Sequence, residues 1–357
     1  MNGLYLGVDG GGTKTVALVG DAEGRVLGTG RAGGSNYQTV GLEGAGAAIG
    51  QAVRQALGQA DAGLSDLRAA ALALAGADFP SDLSLLEELA ARRLPGVKAT
   101  VVNDAWAAWR AGTQTGWGLV AIAGTGSNVA GRTPSGRSKT GYGLTYEFGS
   151  RGGAVHMLKD VLYHVFRAGL MAGPETALLP AALAAFSLSD VDALAQLLYT
   201  VRATPAPAPA NDATNGRNGE GGGTPPEAAA ANLLIPVLFE LAEDGDAIAQ
   251  QVIVDNAAAL GDLAGGMARL LGLEKEEAEV VVSGSLFERP HYPLYRDAFT
   301  ASLHRAVPRA WVHAAAAPPA VGAYLLALET GGVAVTERVR QAAQAAAGAP
   351  AQQDSRL

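Results

Sequence analysis

Cysteine is missing from this chain altogether. Without a thiol there is no disulfide and no thiolate-held metal, so two broad classes of stabilising and redox chemistry fall away together. Positive charge is also short, 26 lysines and arginines against 34 acids, for a net charge of −8. No sequence-wide basic field exists to hold nucleic acid. Long apolar runs are absent too: none approaches the roughly 20 residues that span a bilayer. The first residues enter a strand with no cationic and apolar leader ahead of it. A cytoplasmic protein with neither a membrane nor a nucleic-acid partner is expected. The five histidines have no ligand spacing, and neither H-E-x-x-H nor a G-x-S-x-G elbow occurs.

What is present is glycine in a particular setting. Leu4 to Val8 is an apolar strand, followed by Asp9-Gly10-Gly11-Gly12-Thr13-Lys14-Thr15 and a second short strand, Val16 to Gly20, closed by the turn Asp21-Ala22-Glu23-Gly24. Glycines let backbone N–H groups approach an anion without Cβ interference. Thr13, Lys14 and Thr15 add hydroxyl and ammonium donors. Because the loop joins two strands, it is neither a Walker A loop nor a Rossmann fingerprint, both of which open a helix. The construction recurs: Trp117 to Ala123 runs into Gly124-Thr125-Gly126-Ser127-Asn128, then Val129 to Arg132 and the turn Thr133-Pro134-Ser135-Gly136. Two such hairpins imply a duplicated lobe with two opposed phosphate clamps. Asp9, at the end of its strand, is compatible with phosphate only if a cation such as Mg²⁺ lies between them. The second hairpin carries Ala123 at the matching place, so the acid is not needed to make the turn.

Apolar residues at 48% over 357 positions support two domains, each with a core. Residues 1–115 read as an N-terminal lobe of order β-β-β-α-β-α-β-α, with helices expected at Gly41 to Gln59 and at Ser81 to Arg93, the second started by Ser81. Residues 116–316 read as a second lobe that is largely helical from Gly153 to Leu273. Residues 317–345 read as a C-terminal helix packing back towards the first lobe, and 346–357 as a flexible tail. Ala203 to Ala230, rich in Pro, Gly and Asn, cannot offset its ordering entropy by burial and reads as a disordered insertion.

Taken in order, Asp9-Gly10-Gly11-Gly12-Thr13, Ser35-Asn36, Asn103-Asp104-Ala105, Gly124-Thr125-Gly126-Ser127-Asn128 and Ser283-Gly284-Ser285 resemble the N-acetylglucosamine kinase and BadF-type ATPase family of the actin-like superfamily. The resemblance spans most of the chain. It implies an α/β, two-lobed actin-like ATPase (ribonuclease H-like) fold with duplicated mixed-sheet lobes and a central nucleotide cleft. It implies ATP and Mg²⁺, a small-molecule sugar substrate, transfer to a hydroxyl of an amino sugar such as N-acetylglucosamine, and a homodimer as the common assembly.

By the same resemblance Asp104 is the base that accepts the proton of the attacking hydroxyl. From the residues alone it is equally an N-cap. Gly11, Gly12, Thr13, Lys14, Thr15, Gly124, Thr125, Gly126, Gly284 and Ser285 face ATP, with Ala242 as a further nucleotide contact and Asp9 on the metal. Ser35, Asn36, Ser127 and Asn128 face the sugar. The chain departs from the family between Thr140 and Gly153. There Gly141 and Tyr142 stand where Gly-Trp is usual, Glu147 stands for the sugar-binding Asp only if one residue is deleted, and Arg151 is an added charge. The iron–sulfur activators of the family are excluded by the missing cysteines. An ATP-driven switch acting on a protein partner, or a sugar sensor with degraded catalysis, fits the same residues.

Overall fold

The computed structural model describes residues 3–144, 146–203, 226–288 and 293–348. Among the described residues eleven α-helices and ten strands follow one another in an order that builds the same sheet twice. In the first lobe β1 (Leu4–Gly10), β2 (Lys14–Gly20) and β3 (Val26–Gly33) form an antiparallel meander, and β4 (Leu67–Leu74) and β5 (Lys98–Asn103) add on the other side, parallel to β1. The spatial order is β3-β2-β1-β4-β5. The second lobe builds β8-β7-β6-β9-β10 with the same senses, from β6 (Gly118–Ala123), β7 (Ser127–Arg132), β8 (Ser138–Thr140), β9 (Glu279–Ser283) and β10 (Trp311–Ala314). The duplication read from the two glycine hairpins extends to the whole sheet.

Strand alternation decides what covers each face. In the first lobe Leu6, Val8, Ala70, Leu72 and Leu74 point to α1 (Tyr37–Gln59) and α2 (Pro80–Arg93). Full burial of one such side chain contributes about 1.5–3 kcal/mol. The opposite face carries Tyr5, Ala69 and Ala71, mostly small, and is covered by α10 (Pro319–Thr330), with α11 (Glu337–Gly348) beside it. The approach is close: a Cβ on Gly7 would stand 2.1 Å from the Tyr324 backbone nitrogen. Between the two sheets lies α3 (Asp104–Gly112), whose Ala105, Ala108 and Trp109 pack on Val120, Ala130 and Val281. Ala107 meets Ala73 and Ala323 on its other side. The second lobe's remaining core is helical, with α4 (Ala154–Gly169), α5 (Leu178–Ala185), α6 (Val191–Ala203), α7 (Pro226–Glu243), α8 (Ala247–Leu271) and α9 (Leu294–Ala306) against the outer face of its sheet.

Several boundaries differ from expectation. Helix α1 begins at Tyr37, capped by the Asn36 side chain, and kinks at Gly41, where φ is 70°. Helix α2 begins at Pro80 without a cap from Ser81; the Asp82 carboxylate, one turn in, accepts instead from the Phe79 and Asp78 amides at 2.9 and 3.2 Å. Residues 226–230 of the expected insertion belong to α7, while its 204–225 portion, and 349–357 of the tail, lie outside the described residues. Among the described residues no helix is long and apolar enough to cross a membrane.

Candidate functional site

The carboxyl ends of β1, β4 and β5 converge on one cleft between the lobes, and each delivers an acid: Asp9, Asp78 just beyond β4, and Asp104. This end of a parallel sheet is where open α/β folds place ligands. The cleft encloses 1540 Å³, more than the ~300–1,000 Å³ of an ordinary single-ligand pocket, and so has room for a nucleotide with a second substrate.

The two glycine tips form opposite walls. They meet at one point, Thr13 Oγ1 and Thr125 Oγ1 lying 3.1 Å apart. The first tip is tied back by Gly11 N–H to Lys14 O at 2.9 Å and by Ser35 N–H to Gly11 O at 2.9 Å. The second is tied to the start of α4, where the Ala154 and Val155 amides donate to Gly124 O and Thr125 O. A Cβ built on Gly12, Gly124 or Gly126 would meet no protein atom within 4 Å, although all three line the cleft. None of them has a positive φ. Glycine at these positions answers neither to the backbone nor to packing within the chain, which leaves space kept for something that binds. Gly284 is different. Its φ is +106°, and a Cβ there would stand 2.3 Å from the Ala123 carbonyl oxygen, so glycine is required to bring the Ser283–Ser285 turn against the end of β6.

Electrostatics at the cleft floor are unfavourable to bare carboxylates. Burial raises the Asp9 carboxyl to about 6, against a lowering influence from Lys14. Burial, then the charge of Asp9, raises Asp104 to about 7. Asp78 is also raised to about 7, by burial and then by the charges of Asp104 and Asp82. Such a group of mutually repelling acids suits a hard dication. Among the described residues no three acids or histidines form a ready metal cage, so Mg²⁺ here would complete its shell with phosphate oxygens and water, its usual habit.

Asp104 is not the cap of α3. Asn103 is, its Oδ1 accepting from Ala105 N–H at 3.0 Å, so Asp104 occupies the first helical position with its carboxylate in the cleft. Asn103 also donates to Asp78 Oδ1 at 2.9 Å and accepts from Asn128 Nδ2 at 3.3 Å. A polar chain thus runs from Asp78 through Asn103 to the second lobe, beside the acid. Asp78 was not legible as a site residue. The available signal was its place beyond the carboxyl end of a buried strand, at the same end of the sheet as Asp9 on β1.

Of the expected site residues, Asp9, Gly11, Gly12, Thr13, Lys14, Asn36, Asp104, Gly124, Thr125, Gly126, Ser127, Asn128, Gly284 and Ser285 line the cleft. Ser127 spends its hydroxyl on Arg151 O at 3.0 Å. The others fall elsewhere. Thr15 alternates inward on β2 and donates to Gly33 O at 2.7 Å. Ser35 is buried beneath Gly10, its hydroxyl without a partner. Gly141 packs over Asn128. Tyr142 stacks on Phe79, ring centroids 5.8 Å apart, spanning the two lobes. Ala242 is buried in the helical core of the second lobe, where its carbonyl accepts from Gln250. Glu147 belongs to the short turn Tyr146–Phe148, and its side chain lies outside the described residues. Arg151 is paired with Asp160 at 2.7 Å, so the added charge is neutralised within the second lobe.

Comparison with known proteins agrees with this arrangement. The chain is 28% identical over 337 residues to the N-acetyl-D-glucosamine kinase of Dictyostelium discoideum, an overlap of 92% of this chain and 98% of that protein. A solved Chromobacterium violaceum protein assigned as an N-acetylglucosamine kinase superposes with a TM-score of 0.66 at 20% identity, covering 91% of this chain and 99% of that one. A ROK family glucokinase from Streptomyces griseus, solved with glucose and AMPPNP, gives 0.57 at 20% identity over 92% and 100%. These likenesses establish the two-lobed α/β fold. The model of the BadF/BadG/BcrA/BcrD ATPase family matches residues 6–327, and the chain belongs to that family.

Proposed function

We propose that the protein is an ATP-dependent sugar kinase that phosphorylates a hydroxyl of an amino sugar, N-acetylglucosamine being converted to its 6-phosphate. The observation that carries this reading is the carboxylate of Asp104 in a cleft whose two walls are opposed glycine tips with vacant space above Gly12, Gly124 and Gly126. The tips would hold the ATP phosphates, with Thr13, Lys14 and Thr125 as side-chain donors. Asn36 and Asn128 would present amides to the sugar. Asp104 would take the hydroxyl proton as that oxygen bonds to the γ-phosphorus and the bond to ADP breaks. The positive end of α3 favours the ionised form of Asp104 by about 0.3–1 kcal/mol. Mg²⁺ beside Asp9 would supply charge neutralisation to the phosphates. Closure of the lobes would exclude water and suppress hydrolysis. The relatives whose names specify N-acetylglucosamine kinase support this acceptor over other hexoses.

A coupled assay of ADP release against a panel of amino sugars and hexoses tests the reading. N-acetylglucosamine should stimulate release most, and Asp104→Asn should lower kcat by about 10²–10⁴ with ATP still bound. Release indifferent to sugar would point instead to an ATP-driven switch, and sugar binding without release to a sensor. Unchanged turnover in the variant would remove Asp104 from the mechanism.

A further inference from the structure

Helix α3 has the cleft at one end and a second cavity at the other, roughly 13 Å away for nine residues at 1.5 Å each. This cavity encloses 350 Å³. Its walls come from both sides of the hinge: Trp109 and Arg110 on the last turns of α3, Arg132 at the end of β7, Glu329 on α10 and Arg340 on α11. Three guanidiniums converge here in a chain whose net charge is −8.

Two of the three are matched. Arg110 donates through Nε to Glu329 at 2.9 Å. Arg340 pairs with Glu337 at 3.1 Å and donates to Thr113 O at 3.1 Å. Arg132 has no carboxylate partner among the described residues; its guanidinium lies over the Trp109 ring, 5.8 Å from the centroid. Two further donors of the lining residues, Trp109 Nε1–H and Arg340 Nε–H, are buried without an acceptor. The lining therefore holds two buried donors without acceptors, a state that buried polar groups ordinarily avoid, beside an exposed guanidinium with no carboxylate partner among the described residues. The negative end of α3 faces this cavity and opposes an anion, an influence offset by Arg110 in its last turn.

We propose that the cavity behind the hinge binds a compact phosphate-bearing metabolite, seated on Arg132 and bordered by Arg110 and Arg340. The planar guanidinium fork matches a phosphate bidentately. The volume lies at the small end of ligand pockets, roughly 300–1,000 Å³, which suits inorganic phosphate or a phosphorylated hexose and is too small for a nucleotide triphosphate with its base. Because Arg132 belongs to the second lobe while α11 rests against the first, an occupant ties the two together from the side opposite the substrates. The site is independent of which acceptor the cleft takes.

The indole N–H signals of the four tryptophans give a local readout, with Trp109→Phe assigning the one at this site. Full-length protein saturated with ADP and N-acetylglucosamine, so that both parts of the cleft are occupied, is titrated with inorganic phosphate and separately with glucose 6-phosphate. The expected result is a saturable shift of the Trp109 signal at millimolar ligand, weakened about tenfold or more in Arg132→Gln, the scale of one charged hydrogen bond, and less in Arg132→Lys. Tighter binding of glucose 6-phosphate than of phosphate identifies an ester as the occupant, and equal binding identifies the free ion. Arg132 is exposed, and a thermal melt confirms that the variants fold. A Trp109 signal indifferent to both ligands, or a response unchanged in Arg132→Gln, overturns the proposal.

Discussion

Replacing Glu279 by glutamine probes the joint between the lobes through a single charge. Glu279 opens β9 with its side chain fully buried. It accepts from Thr113 Oγ1 at 2.8 Å, from the Gln114 amide at 2.8 Å, from the Thr115 amide and hydroxyl at 3.0 and 2.6 Å, and it pairs with His313 Nε2 at 2.9 Å. Burial is the largest single influence and pushes the carboxyl up. The hydrogen bonds from His313, Thr115 and Gln114 together outweigh it and bring the group down from 4.5 to about 2. A folded value below the unfolded one means that the ionised form stabilises the native state above pH 4.5, and that this is lost as pH falls towards 2. Two and a half pH units correspond to about 3 kcal/mol, of which about 1 kcal/mol is gone by pH 3.5. His313 is raised above 6.5, first by its hydrogen bond to Glu279, so its share is complete below pH 6.5 and fades as pH rises through the raised value. Denaturant unfolding of wild type and Glu279→Gln at pH 8, 6 and 3.5 measures both. The gap should be widest near pH 6, slightly narrower at pH 8, and narrower by about 1 kcal/mol at pH 3.5. A gap that stays constant across pH would refute the account, because it would locate the loss in shape and not in charge.

Other expectations follow from the cleft. Asp104 must be ionised to act as a base and stands at about 7, so kcat/KM should climb with pH up to about that value and then level, as the free enzyme's base does; a profile flat through this range would exclude the assignment. Gly126→Ala places its Cβ where no protein atom lies within 4 Å, so stability should change by no more than about 0.5 kcal/mol while KM for ATP rises, and unaltered ATP affinity would show that the space is not used. Gly284→Ala meets both a positive φ and the Ala123 carbonyl and should cost about 1–3 kcal/mol, read as a lower denaturant midpoint, with a wild-type midpoint as the opposing result.

The sheets were legible where local pattern suffices. Apolar runs closed by glycine tips give both hairpins, and the buried strands Leu67–Leu74 and Glu279–Ser283 stand out by composition. What sequence reading missed is non-local. Asp78 becomes a site residue only because β4 lies between β1 and β5, an adjacency that no spacing encodes. Thr15 and Ser35 are close to the cleft in sequence but turn away from it, one by strand alternation and the other by burial under Gly10. Tyr142 found Phe79, a partner in the other lobe. Glu279 reads as one more strand residue until the turn at Thr113–Thr115 arrives from more than 160 positions earlier.

At the crossing of α3 and α10, a Cβ on Gly322 would stand 1.8 Å from the Ala107 carbonyl oxygen, so the two helices touch backbone to backbone. With no side chain between them there is nothing to compress, and sliding apart would open a void. The contact therefore fixes the spacing between the helix that begins with Asp104 and the helix that backs the first sheet. One added methyl group at Gly322 would push α3, and Asp104 with it, away from that sheet.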